Sequence, residues 1–364
     1  MKKSTLATLV LSTVFAHQTY AACLGNVYSL NAGRGDVGIL VDVQETNKFT
    51  GVYNGSRALA VSRAEFSASA MTYDSINNRI YYVSAPRPKT YHVEGLENFV
   101  SDDEFNNLSF HGATYDPVQL AYYDPDTKTH TIVGTVPAVF RMAFNATTGQ
   151  IVASDNMKIF SIDPASGTTT PIADFDSGLI SGGFTSWGDF IYYKGELLFV
   201  SNTRTFVINE STGAATIKAF HYIDFVTGAT LDQNGQMLVA AKNQNVTGNI
   251  NSTWLWRLNP ATGEKASVGL IPARLSALAT NTQEDHTCYP PTVFPSEKVN
   301  DVGSITTANV EEGQTATFTV NFDKDTAAAL DINLQLNNGS AVINSDYSGS
   351  VTIEFEDGTS TTAS

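Results

Sequence analysis

Cysteine is almost missing from these 364 residues: only Cys23 and Cys288 occur. That count excludes a dense disulfide scaffold and a four-thiolate metal cage. Positive charge is also scarce, with 21 Lys and Arg against 36 Asp and Glu and a formal net charge of −15. Such a chain repels phosphate backbones, so no nucleic-acid partner is expected. The six histidines, His17, His92, His111, His130, His221 and His286, never fall at the i, i+4 or short-loop spacing that zinc wants. No Gly-x-Ser-x-Gly elbow is present, and no convergent catalytic set stands out. Beyond the first residues, no segment approaches the roughly 18 uninterrupted apolar residues of a membrane-spanning helix. Gly33-Arg34-Gly35-Asp36-Val37-Gly38 matches both Gly-x-Gly-x-x-Gly and Arg-Gly-Asp. It lacks the strand-to-helix context of a dinucleotide site and reads as a glycine-rich turn.

What is present begins with an export signal at residues 1–22. Lys2 and Lys3 supply the positive start, Leu6 to Phe15 the short apolar stretch, and Thr19-Tyr20-Ala21 a small-x-small cleavage site. Removing it leaves 19 basic and 36 acidic residues, a net charge of −17. The expected location is secreted, periplasmic or cell surface. Cys23 and Cys288 then form one disulfide in an oxidising compartment, at the start and just past the end of a repeat region. The competing reading is lipidation of Cys23, because Ala21-Ala22-Cys23 is similar to the end of a lipobox, although Tyr20 stands where Leu is wanted.

The strongest positive signal is a phrase that recurs four times: Tyr122-Tyr123-Asp124-Pro125-Asp126-Thr127-Lys128, Ser161-Ile162-Asp163-Pro164-Ala165-Ser166-Gly167, Val207-Ile208-Asn209-Glu210-Ser211-Thr212-Gly213 and Arg257-Leu258-Asn259-Pro260-Ala261-Thr262-Gly263. Each is a strand end followed by a tight turn. Asp or Asn bonds the backbone ahead, Pro presets φ, and Gly supplies positive φ. A period of roughly 40 to 50 residues is the length of a four-stranded propeller blade. Apolar strand runs at 79–83, 150–153, 196–200 and 236–240 each follow a turn signal.

The chain is therefore expected to be all-β, with an N-terminal β-propeller over 23–280. A fifth blade is assembled from both ends: Leu275–Ala279 gives its inner strand, and Asn26–Leu30 with Gly38–Val41 its outer ones. Five blades are counted, with six as the alternative if Phe49–Ser69 forms a further partial blade. The pattern resembles bacterial exported propeller domains but lacks the Gly-His and Trp-Asp marks of WD40 repeats; that resemblance is architectural and implies no activity.

Residues 281–300, with Pro290, Pro291 and Pro295, read as an extended linker. Residues 301–364 carry Val310-Glu311-Glu312-Gly313, the alternating strand Thr315–Phe322, Ser345-Asp346-Tyr347 and Phe355-Glu356-Asp357-Gly358-Thr359. In this order they resemble the Calx-beta domain, an immunoglobulin-like β-sandwich of sodium/calcium exchangers and bacterial surface proteins. The stretch stops before the final strands of such a sandwich, so a truncated piece is expected, with low order after about residue 300. The resemblance implies calcium as the one candidate cofactor, with Glu311 or Glu312 as metal ligands. Asn338 stands where the family has an Asp, which weakens the set.

One stretch, Pro86–Leu120, interrupts the blade pattern, and a connection of that length is usually functional or disordered. It holds Tyr91, His92, Glu94, Asp102, Asp103, Glu104, His111, Tyr115 and Asp116, the candidate ligand-binding loop. The Asn-rich run Lys242–Thr253 precedes Trp254-Leu255-Trp256, whose indoles read as blade packing rather than as a sugar platform. The leading reading is an exported binding, adhesion or structural module whose partner is a surface glycan, a matrix component or another protein. An extracellular hydrolase or lyase acting on polysaccharide and a calcium-dependent regulator are the alternatives.

Overall fold

The computed structural model describes residues 23–34, 37–44, 57–85, 96–107, 117–243, 252–271, 273–286, 291–294, 302–305, 320–322, 351–354 and 360–363. The export signal lies outside them. Two compact units divide at Thr292/Val293.

The first unit is a five-bladed β-propeller. Its strands are β1 (Cys23–Arg34), β2 (Val37–Gln44), β3 (Arg57–Ala64), β4 (Ala68–Asp74), β5 (Arg79–Ser84), β6 (Val118–Asp124), β7 (Thr129–Val136), β8 (Arg141–Asn145), β9 (Gln150–Ser154) and β10 (Lys158–Ile162). They continue as β11 (Thr169–Asp174), β12 (Asp189–Tyr193), β13 (Glu196–Val200), β14 (Arg204–Ile208), β15 (Ala215–Phe220), β16 (Val226–Leu231), β17 (Met237–Lys242), β18 (Thr253–Leu258), β19 (Lys265–Ile271) and β20 (Ala279–His286). Four sheets run in chain order, β4 to β7, β8 to β11, β12 to β15 and β16 to β19; the remaining one has the order β20-β1-β2-β3. The first strand of each sheet touches the first strand of the next, from β20 through β4, β8, β12 and β16 back to β20. The ring is closed and has no open inner edge.

The seam blade differs from the sequence expectation in two places. Its innermost strand is Ala279–His286 rather than Leu275–Ala279, and it pairs with β1 from Tyr28↔Ala279 to Cys23↔His286. Residues 281–286, expected to open the linker, are therefore part of the wheel. Their sequence, Asn-Thr-Gln-Glu-Asp-His, has no apolar alternation: Thr282, Gln283 and Asp285 are exposed, and Glu284 is held by hydrogen bonds from Tyr28 and Asn281. Within the segment Phe49–Ser69, Arg57–Ala64 is the outermost strand of this blade, paired with β2, which makes the blade count five.

Apolar layers fill the spaces between blades. Leu40 of the first blade joins Tyr82 and Leu120 of the second and Met142 of the third in one cluster; Ile191 and Val200 of the fourth meet Val239 and Leu258 of the fifth in another. Full burial of each such side chain contributes about 1.5–3 kcal/mol.

Each recurrent phrase is the turn between the third and fourth strands of a blade. In the last, Asn259 Oδ1 accepts from Ala261 N–H at 3.0 Å, and Gly263 N–H donates to the Asn259 carbonyl at 2.8 Å. The glycine has a second task. At Gly213 and Gly263, φ is +71° and +79°, and a Cβ would overlap the carbonyl oxygens of Asp174 and Phe220 at the end of the preceding blade's outer strand. The repeated turn is thus also an inter-blade joint.

Two short α-helices interrupt a chain in which no long helix is expected: α1 (Asp102–Asn107) between β5 and β6, and α2 (Ser177–Ser181) between β11 and β12. Asp176 caps α2 by accepting from Gly178 N–H at 2.7 Å. In the second unit, β21 (Val302–Ile305) pairs with β22 (Val320–Phe322), and β23 (Val351–Glu354) pairs with β24 (Ser360–Ala363). Glu311, Glu312 and the assembly of a sandwich lie outside the described residues.

Candidate functional site

The antiparallel order gives the wheel two unlike faces. In the four blades that run in chain order, one carries the tight turns between first and second strands and between third and fourth strands. The other carries the second-to-third-strand loops and the connections between blades, including 85–117, 175–188, 221–225, 243–252 and 272–278. Long connections built on a rigid scaffold are where binding residues concentrate.

Of the candidate loop residues, Asp102, Asp103 and Glu104 are described and form the first turn of α1. Glu104 is committed to structure. Both its carboxylate oxygens meet the Arg63 guanidinium of β3, one at 2.8 Å, and this pairing holds the carboxyl below its usual range. Just before α1, Val100 is buried against Val27, Ile39 and Leu238, so the insertion is pinned to the seam side of the wheel. Tyr91, His92, Glu94, His111, Tyr115 and Asp116 lie outside the described residues, as do Cys288 and the side chain of Cys23. Among the described residues, no group of three or more His, Cys, Asp or Glu could hold a metal ion.

At the axis, a cavity of about 190 Å3 is lined by all five inner strands, with Thr72, Tyr73, Tyr192, Thr230 and Thr280 among its walls. Near its other end, Asp189 is buried at 2 % exposure. Its carboxylate accepts from Phe190 N–H at 2.9 Å and from Ala229 N–H of the neighbouring inner strand at 3.1 Å. Burial pushes its pKa up to about 7, against those hydrogen bonds and the attraction of Arg141. Arg141, 1 % exposed, donates to Ser154 Oγ at 3.1 Å and to the carbonyls of Asp155 and Thr185. These groups lace neighbouring blades together.

Two histidines are held neutral by burial. His221 Nδ1 accepts from Ile223 N–H at 3.0 Å, and His130 sits between Ser62 Oγ at 2.8 Å and Tyr82 Oη at 2.9 Å. Burial lowers both to about 4 from the usual 6.5. Between pH 6.5 and about 4 the unfolded chain binds protons that these rings refuse, so their contribution is lost as pH falls through that window. Asp189 acts oppositely: between about 4 and 7 the folded chain binds the extra proton, and stability falls as pH rises. Two rings outweigh one carboxyl below pH 6.5, and Asp189 alone acts above it. The urea midpoint is expected to peak near neutral pH, and Asp189→Asn to remove the decline on its alkaline side; a wild-type midpoint climbing steadily to pH 8 would contradict this.

The larger cleft, about 260 Å3, lies between the fourth and fifth blades on the loop face and is lined by Tyr222, Ile223, Asp224, Ala241, Lys242, Asn243, Trp254, Trp256 and Lys265. Trp254 and Trp256 occupy alternate positions of β18 and so project from one sheet face; their rings lie 6.0 Å apart, tilted by 40°. Trp256 packs at its inner side on the cluster containing Ile223 and Val239. Both indoles are half-buried; they are blade packing and cleft wall together, whereas the sequence suggested packing alone. Lys265 reaches over the Trp256 ring at 5.2 Å and donates to the Tyr222 carbonyl at 2.8 Å. Burial lowers its pKa. Tyr222 is 71 % exposed and has φ of +55°, a conformation rare for a bulky residue. Its N–H is held by the Thr203 carbonyl at 2.9 Å. Sequence reasoning missed Tyr222, Asp224 and Lys265 as partners of the indoles, because they meet only across blades.

Comparison with protein-family models gives no match, and comparison with curated proteins gives none either. Solved structures similar to this chain include one of a nidogen/laminin complex, with 9 % identity and a TM-score of 0.41 over 71 % of this chain and 99 % of that one. A protein of unknown function from Bacteroides thetaiotaomicron has 11 % identity and a TM-score of 0.38 over 67 % of this chain and 64 % of that one. TolB from Acinetobacter baumannii has 9 % identity and a TM-score of 0.33 over 70 % of this chain and 67 % of that one. Similarity at this level assigns no ligand. The fold assignment stands on the sheet order and the ring of inner strands.

Proposed function

We propose that this chain is an exported, non-catalytic binding module that presents its loop face to an extracellular partner. The observation that carries the reading is the inequality of the faces. In the four blades that run in chain order, every turn on one face is short and most are internally hydrogen-bonded, while the other face gathers the longest connections, the exposed Tyr222 and the cleft between the fourth and fifth blades. Exposed aromatic surface on a rigid scaffold is a mark of recognition. The strongly shifted buried groups, Asp189, Arg141 and His221, are bonded into the blades rather than aimed at one reaction centre, which supports binding over turnover.

The register of the seam supports the proposed Cys23–Cys288 clasp, because Cys23 pairs with His286, two residues before Cys288. Among the described residues no helix is long and apolar enough to cross a membrane. The test is incubation of the full chain with a panel of extracellular polysaccharides and matrix proteins, followed by co-sedimentation and product analysis. Retention on at least one partner with no product released is expected; released oligosaccharides would overturn the reading in favour of a hydrolase or lyase.

A further inference from the structure

We propose that the cleft between the fourth and fifth blades is a saccharide-binding site that takes a chain of neutral pyranoses. The proposal deepens the binding-module reading and rests on it. A pyranose presents a flat face of C–H groups and a rim of hydroxyls, so its receptor needs aromatic plates flanked by hydrogen-bonding side chains. The cleft supplies both. Trp254 and Trp256 stand on one sheet face, half-buried and 6.0 Å apart; Lys265 lies over the Trp256 ring, so the pair forms one aromatic wall in which Trp254 is the plate and Trp256 its support. Tyr222, 71 % exposed, adds a third aromatic ring at the rim and lies 6.3 Å from Phe220 in a stacked arrangement.

The polar groups are fixed rather than floppy. Asn243 is 6 % exposed, and its Nδ2 donates to Ser252 Oγ at 2.9 Å. Lys265 is tethered to the Tyr222 carbonyl, and Asp224 is exposed on the opposite wall. Rigid aromatic anchors with pre-set polar partners reduce the ordering cost of binding. Charge argues for a neutral ligand. The lining includes Lys242, Lys265 and Asp224, a nearly balanced set inside a chain of net charge −15 whose field repels polyanions. A peptide anchored by an apolar side chain would instead want a deep apolar pocket, and this cleft is shallow and rimmed by polar groups.

The strain at Tyr222 fits the same purpose. A φ of +55° turns the chain at the start of the blade connection and sets the phenol at the mouth of the cleft.

The test is calorimetry and tryptophan emission on the full chain with cellohexaose, xylohexaose, chitohexaose and an oligogalacturonate. At least one neutral hexasaccharide is expected to bind and shift the emission. Trp256→Ala is expected to weaken it at least ten-fold, and Tyr222→Asn, which tolerates the left-handed backbone, several-fold with no fall in the urea midpoint. If Trp256→Ala does not fold, Tyr222→Asn decides. No response to any of the four, preference for the oligogalacturonate, or binding untouched by the variants would each overturn the proposal. Binding that persists in both variants sinks the cleft and leaves the binding module standing. Cleavage of a hexasaccharide that both variants abolish sinks the non-catalytic module and leaves the cleft standing.

Discussion

Asp232→Asn is expected to lower the stability of the wheel by about 3–5 kcal/mol, the usual cost of orphaning one member of a buried ion pair. Asp232 Oδ2 lies 2.6 Å from Arg257 Nε, and each side chain is 2 % exposed. Asp232 ends the turn side of the fifth blade's inner strand, while Arg257 projects from that blade's third strand. Removal of the carboxylate leaves a buried guanidinium cation without its counter-charge. Asparagine is the instructive replacement because Asp232 Oδ1 also accepts from Asn234 N–H and Gln236 N–H, both at 2.8 Å. The amide oxygen can keep those turn bonds while the charge is lost. Urea titration reads the change in midpoint. The double variant Asp232→Asn with Arg257→Met should lose less than the sum of the two single changes. A loss below about 1 kcal/mol for Asp232→Asn would show that the pair is not isolated from solvent as its burial implies.

The second large effect is expected at Gly263. Gly263→Ala places an L-residue at φ of +79° and drives its Cβ into the Phe220 carbonyl of the preceding blade. The left-handed backbone costs about 1–2 kcal/mol and the overlap about 1–3 kcal/mol more. Gly149→Ala separates the two contributions: its φ is +69°, and its Cβ would meet nothing within 4 Å. Gly149→Ala should therefore show the conformational cost alone. Equal losses at the two positions would mean that the turn does not bear on the neighbouring blade.

These two sites also mark how far the sequence could be read. The recurrent phrase was legible because its chemistry is local: an Asx acceptor with a proline, a glycine or both within seven residues favours a turn wherever it stands. Its role as a joint was not, because Phe220 and Gly263 are 43 positions apart in the chain. Asp232 reads as an ordinary turn residue and Arg257 as a strand-end charge, and neither announces a buried pair. The seam was partly legible. The pairing of the two chain ends follows from the count of strands, but the strand that closes it is polar and reads as linker. Tyr28 Oη donating to Glu284 Oε2 at 2.7 Å across β1 and β20 is the kind of contact such a strand uses in place of apolar burial.

The candidate site followed the same division. The Pro86–Leu120 insertion stood out by length, and its described part proves to be anchored through Glu104 to Arg63 and through Val100 to the core. Trp254 and Trp256 were visible as a pair, but the cleft needs Tyr222 and Lys265, which enter from another connection and another strand. A site assembled across blades leaves no spacing signature along the chain.

The claim on which the account depends is that both ends of the wheel meet in one blade and close it. Native-state hydrogen exchange on the full chain tests this most directly. Closure predicts that amides of β20 and β1 exchange with the same opening free energy as those of β9 and β13 in the middle of the ring, since no blade can open without breaking its neighbours' packing. Exchange of β20 and β1 at a distinctly lower free energy, while β9 and β13 stay protected, would contradict a closed ring of five.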